Sequence, residues 1–474
     1  MRKYNFISYK KIYVGFLQLI MALLLIGCDN LLEVDPPTTE VLASQVFSSD
    51  ANANAALVGM YSSMVTASAF MNIGYACSLS ADETDGSNPD YPFTDFGTNT
   101  LTASDYGASN LWTGFYKTIY QANNIIENVT NSTGMSDSIK TQFVGQAKFV
   151  RALNFFYLVN MFGPVPLTVT PDVKTNNALA RAATADVYAQ IVSDLKDAET
   201  KLPANYSNYS SKRDKPNKRA ASALLARVYL YMDDYVNAEE KATEVINTTS
   251  LYSLLSTADI GNVFLKDSKE SIFAINPQTT TGHWLTNEDY YYYYGSQYQS
   301  LYYILTSSLA NAFEIGDVRK TAWLGSFDYS GTTYYYGAKY RDYDGSSDPL
   351  EYSIVLRLSE QYLIRAEARA RQSNVTGTAG AVADINVIRT RAGLASLDAA
   401  NMTQAQCLTS IEQERRVELF LEYGNRWFDL KRTNRADAVL GALKPATWKS
   451  TAVLYPIPLT EIQNAPQLTQ NDGY

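Results

Sequence analysis

Histidine is almost missing: the 474-residue sequence has one, His283. A metal site built from several histidines is therefore impossible. A Ser-His-Asp arrangement would have to use that single ring, and no G-x-S-x-G elbow accompanies it. Cysteine is scarce too. Cys28, Cys77 and Cys407 are the only three and no C-x-x-C occurs, so neither a zinc site nor a thioredoxin-like dithiol has support. Cys77 and Cys407 could pair in an oxidising compartment, but two buried free thiols are the better reading. Positive charge is short: 39 Lys and Arg face 48 Asp and Glu, for a net −9, with no basic cluster beyond Lys212–Arg219. Such a chain is a poor nucleic-acid binder. A glycosidase needs only two carboxylates, which composition cannot exclude. Most acids, however, fall in helical stretches that read as solvated faces, so catalysis is not the favoured reading.

Long apolar runs are lacking as well. The one candidate, Ile12 to Ile26, is broken by Gly15 and Gln18 and is short of the roughly 20 residues a membrane-spanning helix needs. It follows Arg2, Lys3, Lys10 and Lys11, the layout of an export signal, and it ends in Leu25-Ile26-Gly27-Cys28. A small residue before cysteine resembles the lipobox of bacterial lipoproteins. That predicts a signal peptide over 1–27, lipidation at Cys28 and a tether over 28–39, where Pro36-Pro37 favours extended chain. Removing residues 1–27, which carry four positive charges and no acidic one, takes the net charge from −9 to −13.

No Gly/Ser- or Pro-rich linker divides the rest, so 40–474 reads as one domain. Helix signals recur in pairs. In LWTGFYKTIYQANNIIENV, Leu111, Phe115, Ile119 and Ala122 form one stripe, and Trp112 lies on the same packed helix. FVGQAKFVRALNFFYLVNMFG, from Phe143, stops at Gly163-Pro164. RAASALLARVYLYMDDYVNAEEKATEVI, Arg219 to Ile246, has small residues for close packing and Asp233-Asp234 as its turn, similar to a tetratricopeptide repeat. A second hairpin-like pair starts at Ser359 and Ala379. The fold class is mostly α: a tetratricopeptide-like helical-repeat scaffold with a loop-rich region over 250–355 and a few short strands such as Ser271–Asn276.

Four stretches carry a family resemblance: QAKFVRALNFFYLVNMFGPVPL from Gln146, RLSEQYLIRAEARAR from Arg357, ERRVELFLEYGNRWFDLKR over Glu414–Arg432, and LYPIPLTEIQNAPQLTQNDGY from Leu454. With the lipobox, they closely resemble the SusD/RagB family of outer-membrane nutrient-binding lipoproteins, over essentially the whole mature chain. One departure is Asp472, where the family often has proline. The resemblance implies four tetratricopeptide-like units, a ligand-binding face of loops, a cell-surface position, and a SusC-like TonB-dependent β-barrel transporter as partner. It implies oligosaccharide or, in some members, peptide as cargo, and no catalysis or cofactor. A helical scaffold for surface enzymes that binds no nutrient is the alternative from another class.

Within 426–432, Trp427 and Asp429 could touch sugar. The better reading has Gly424 ending a helix in a left-handed conformation and Trp427, Phe428 and Leu430 in the core. Glu412 and Arg416 read as a surface i,i+4 pair. Asp82-Glu83-Thr84-Asp85 and Asp342-Tyr343-Asp344-Gly345 could hold calcium, but they match no EF-hand and read as solvated turns, so no metal is expected. The densest signal is EDYYYYYGSQYQSLYY, with eight tyrosines from Tyr290 to Tyr303. Aromatic rings cover the C–H faces of sugars, and the phenol adds a polar handle. Read as a strand, the run sends Tyr290, Tyr292 and Tyr294 one way and Tyr291 and Tyr293 the other. Part of it is then packing or contact with the transporter. The expected ligand-binding residues are Trp284 and Trp323 first, then Tyr290, Tyr292, Asn287 and Arg341, with Asp289 and Tyr334–Tyr336 nearby.

Overall fold

The computed structural model describes residues 46–66, 69–85, 93–279, 282–283, 287–342 and 349–474; side chains at 71, 278–279, 282–283 and 287–290 fall outside the description. The signal peptide, Cys28 and tether expected over 1–39 lie outside the described residues, as do Trp284 and Tyr343–Gly345. Phe47–Tyr474 forms one compact unit.

Several of its helices begin where side chains cap them. Helix α1 (Asp50–Thr66) is followed by α2 (Ala69–Ser80). Asp105 accepts from the amides of Gly107 and Ala108 at 2.9 and 3.3 Å and starts α3 (Tyr106–Asn131). Leu111, Phe115, Ile119 and Ala122 are fully buried along it, as their spacing predicts, and Trp112 is buried beside them. Helix α4 (Asp137–Phe162) lies at the centre and stops at Gly163, φ +73°, where a side chain would run into Leu454. Helix α5 (Thr184–Lys201) packs on α4 and on α6 (Lys218–Tyr231). The turn to α7 (Tyr235–Ile246) is the Asp233-Asp234 pair: Asp233 is left-handed at φ +58°, and the Asp234 carboxylate accepts the Asn237 amide at 3.2 Å. Ala223, Ala226, Ala238 and Ala242 are wholly buried and allow the close approach. Helix α7 packs on α8 (Leu358–Arg371), which packs on α9 (Ala381–Arg391) and α10 (Gln404–Glu418), the last opened by a Thr403/Gln406 capping box. The result is a stack of helical hairpins.

The insertion between α7 and α8 carries most of the described strands. β1 (Val165–Pro166) and β2 (Arg181–Ala182) pair beside the scaffold. β3 (Ser271–Ile275) pairs antiparallel with β8 (Ser353–Arg357), both fully buried. β4 (Gln278–Thr279) pairs with β5 (Gly282–His283). β6 (Leu324–Tyr329) and β7 (Thr332–Gly337) form a hairpin turned by Ser330 and Gly331, both at positive φ. The tyrosine run is a helix, Asn287–Tyr298, and not the strand considered above; it packs on the β6–β7 hairpin and on α2.

The charges are not arranged as a solvated shell. Glu418, wholly buried, accepts from Arg357 at 2.5 Å and from Arg319 at 2.8 Å, and also pairs with Arg391. Burial opposes its charge, but those three guanidinium groups hold its carboxyl well below the usual range. Glu414 binds Arg319, Glu422 binds Arg357 and Lys339, and Glu360 binds Arg227, all buried. Glu412 and Arg416 do not form the expected surface pair. Glu412 binds Arg426 and Arg435, while Arg416 reaches Asp82 at 2.9 Å.

Candidate functional site

The face built by the tyrosine helix rests on a floor whose parts are fixed one by one. Tyr291 is buried and its hydroxyl shares a 2.7 Å hydrogen bond with Ser78 of α2, which pins the helix from below. Tyr336 of β7 is buried between two glycines. A methyl group added at Gly295 would fall 2.2 Å from the Tyr336 ring, and one at Gly325 equally close to its other end. No residue but glycine lets the helix and β6 approach that ring so closely. Tyr292 meets Tyr336 edge-on, with ring centroids 6.1 Å apart.

Above this floor lies a ladder of rings. Tyr294 stacks on Tyr303 at 4.7 Å and 9°. Tyr293 meets Tyr294 and Tyr298 at 5.3 Å each, and the hydroxyls of Tyr293 and Tyr298 are 3.1 Å apart. Tyr298 is 62% exposed, while Tyr292, Tyr293, Tyr294 and Tyr303 are half-buried. The ladder is therefore a packed cluster of rings partly open to solvent, most of all at Tyr298.

The expected contact residues divide. Trp323 is a correction: it is wholly buried and its indole N–H donates to the Ile260 carbonyl at 3.0 Å. Its ring packs against Phe264 and covers the buried cations of Lys339, Arg357 and Arg391, so it cannot meet a ligand. Tyr292 lies at the edge of the ladder. Arg341 is exposed, but it uses Nε to hold the Ala338 carbonyl at 2.9 Å and another nitrogen to hold that of Ala322, bracing the end of the hairpin. Asn287 and Tyr290 stand in the first turn of the helix, with side chains outside the description, and Trp284 lies outside the described residues. Tyr294, Tyr298 and Tyr303 are not among the ligand contacts the sequence points to. The signal was present: Asn287-Glu288-Asp289 ahead of the run is a helix start, and a helix puts Tyr294 and Tyr298 on one face.

The Asp82–Asp85 stretch is a second correction. Asp82, Glu83 and Thr84 are buried rather than solvated. Asp82 binds Arg426 through both oxygens, at 2.7 and 3.1 Å. Burial pushes its carboxyl up, but Arg426 and Arg416 outweigh it and hold it below the usual range. Burial and then the neighbouring Asp82 charge push Glu83 up to about 8, and its carboxyl accepts the Leu421 amide at 3.2 Å. The backbone of the same stretch takes hold of the tyrosine segment: Thr306 donates its amide to Glu83 at 2.9 Å and its hydroxyl to the Asp82 carbonyl at 2.7 Å, and the Asp85 amide donates to Ile304. Arg426 thus fixes, through Asp82, the segment that carries Tyr303. Its neighbours Trp427, Phe428 and Leu430 fill the core as expected. Gly424 is left-handed at φ +75°, but it opens the next helix (Asn425–Arg432) instead of closing the previous one. Cys77 and Cys407 are buried free thiols.

A stack of helical hairpins carrying an aromatic face on a long insertion defines a binding scaffold of repeat type. The model of the SusD family matches residues 196–474, and a second model, described as starch-binding and associating with the outer membrane, matches 30–230. The chain belongs to the SusD family. SusD-like protein P2 of Formosa agariphila is 27% identical over 98% of this chain and 100% of its own length. The starch-binding protein SusD of Bacteroides thetaiotaomicron is 24% identical over 72% of this chain and 74% of its own. Among solved structures, a laminarin-binding SusD-like protein superposes with a TM-score of 0.73 at 25% identity, covering 90% of this chain and 99% of its own. A SusD homologue from Bacteroides thetaiotaomicron reaches 0.77 at 18% identity, covering 92% and 99%, a likeness of fold. Glycan binding and association with the outer membrane are therefore properties of the family.

Proposed function

We propose that this chain is a lipid-anchored protein on the outer face of the outer membrane. It captures a glycan on the tyrosine ladder, without cleaving it, and delivers it to a SusC-like TonB-dependent transporter. The observation that carries the reading is the ladder itself: Tyr293, Tyr294, Tyr298 and Tyr303 form a partly exposed, pre-ordered surface. Tyrosine orders at low entropic cost because it has few torsions, and a rigid floor reduces what remains to be ordered on binding. The laminarin- and starch-binding descriptions of relatives support a neutral glucan as first candidate. Tyr292 would extend the same surface, Trp284, Tyr290 and Asn287 stay proposed contacts with the ligand, and Cys28 would hold the protein to the membrane.

The test is electrophoresis of residues 29–474 through gels cast with laminarin or with starch. The reading expects retardation by at least one polymer, sharply reduced in Tyr294→Ala. Equal migration in every gel would remove the glycan from the account. Intact polymer after long incubation with the protein is the expected companion result, and released reducing ends would contradict non-catalytic capture.

A further inference from the structure

A second cleft lies on a part of the chain that shares no residue with the tyrosine ladder. One wall is α3, where Trp112, Tyr116 and Tyr120 recur every four residues and so stand on one face. The opposite wall is the Val173–Leu179 stretch together with Gln467 and Leu468. The cleft is open to solvent and has a volume of about 440 Å³, within the usual span for small-ligand sites. Its walls are held from behind. The Tyr116 hydroxyl donates to the Pro166 carbonyl at 2.8 Å, and Trp112 and Glu461 both line the cleft. Gln467 donates to the carbonyls of Asn177 and Leu179 at 2.7 and 3.2 Å, tying the C-terminal segment to the opposite loop.

We infer that this cleft is a second glycan subsite for a neutral sugar, distinct from the ladder; the inference rests on the glycan reading given above. Three observations favour that ligand. The apolar wall is left open to water: Tyr120 is 46% exposed and Val173 57%, and exposed apolar groups gathered in one concavity mark a binding surface. The charges lining it, Lys117 and Glu461, are one of each sign, which suits neither a phosphate nor an acidic chain. The remaining polar groups are mostly amides, and one is incomplete: Asn176 donates Nδ2 to the Thr170 carbonyl at 2.8 Å while its buried Oδ1 has no donor. Amide groups suit the hydroxyls of a neutral sugar, and the Tyr120 ring offers a face for its C–H surface. Two subsites on one rigid chain would let a polymer bind by both at once, raising retention without stronger contacts at either.

The test is migration of Tyr120→Ala, Tyr294→Ala and the double variant through laminarin and starch gels, beside thermal melting to verify folding. Tyr120 is exposed, so its loss leaves the core intact. The inference expects about three- to tenfold weaker retention in Tyr120→Ala, residual retention in Tyr294→Ala, and none in the double variant. Tyr120→Ala migrating as wild type while Tyr294→Ala loses all retention would overturn the second subsite and leave the ladder reading standing. Wild type unretarded by every polymer would overturn both.

Discussion

At the scale of the residue, position in the fold decides what each aromatic can do. Trp323 and Tyr294 are both large rings in the insertion, but one is sealed against Lys339 and the other lies on the ladder. Trp323→Ala is predicted to cost about 3–5 kcal/mol of stability, as large core truncations do, measured by denaturant unfolding. Tyr294→Ala should leave the melting temperature nearly unchanged and weaken glycan retention by at least about tenfold, the size expected for an anchor residue. Glu83 supplies a pH signature. Its pKa of about 8 in the fold lies above the ordinary carboxylate value of 4.5. Its contribution to stability is therefore complete below about pH 4.5 and is lost as pH rises toward 8, because the unfolded chain releases that proton first. Glu83→Gln keeps the neutral shape and should lose less stability than wild type between pH 5 and 8. Parallel melting curves for the two proteins across that range would refute the assignment.

At the scale of the element, helices were legible and charges were not. The stripe in α3, the Gly163 stop and the Asp233-Asp234 turn follow from periodicity, capping and backbone preference, all local properties. The tyrosine helix was harder to read, because five like residues carry no period and only Asn287-Glu288-Asp289 marks a start. The buried ion network was not legible at all. Glu414, Glu418, Arg357 and Arg391 stand in helical or strand stretches where a charge ordinarily faces water, and only the packing of distant segments brings them together. Removing one member should expose that cost. Glu418→Ala leaves Arg319, Arg357 and Arg391 without their shared counter-ion and should destabilise by about 3–5 kcal/mol, read by chemical denaturation. Gly295→Ala drives a methyl group into Tyr336. It should lower stability by about 1–3 kcal/mol, the usual cost of overpacking, and should also weaken glycan retention, since the ladder moves with its helix.

At the scale of the whole molecule, one of the stretches that carry the family resemblance serves the face at a distance. Arg426 grips Asp82, and the Asp82–Asp85 strip holds Ile304 and Thr306 beside Tyr303. The helical stack is thus a frame, and the insertion between α7 and α8 carries the aromatic face. On the proposed lipid anchor at Cys28, Cys28→Ser should release the protein from membranes at high salt, because stable anchoring takes more than one acyl chain and a lipoprotein carries several. The central claim, glycan capture by the tyrosine ladder, is tested most directly by titrating residues 29–474 with laminari-oligosaccharides and with malto-oligosaccharides in a calorimeter, wild type beside Tyr294→Ala. Saturable heat with one of the two series, reduced at least about tenfold in affinity by the substitution, is the predicted result. Binding that Tyr294→Ala leaves unchanged, or no heat with either series, would contradict it.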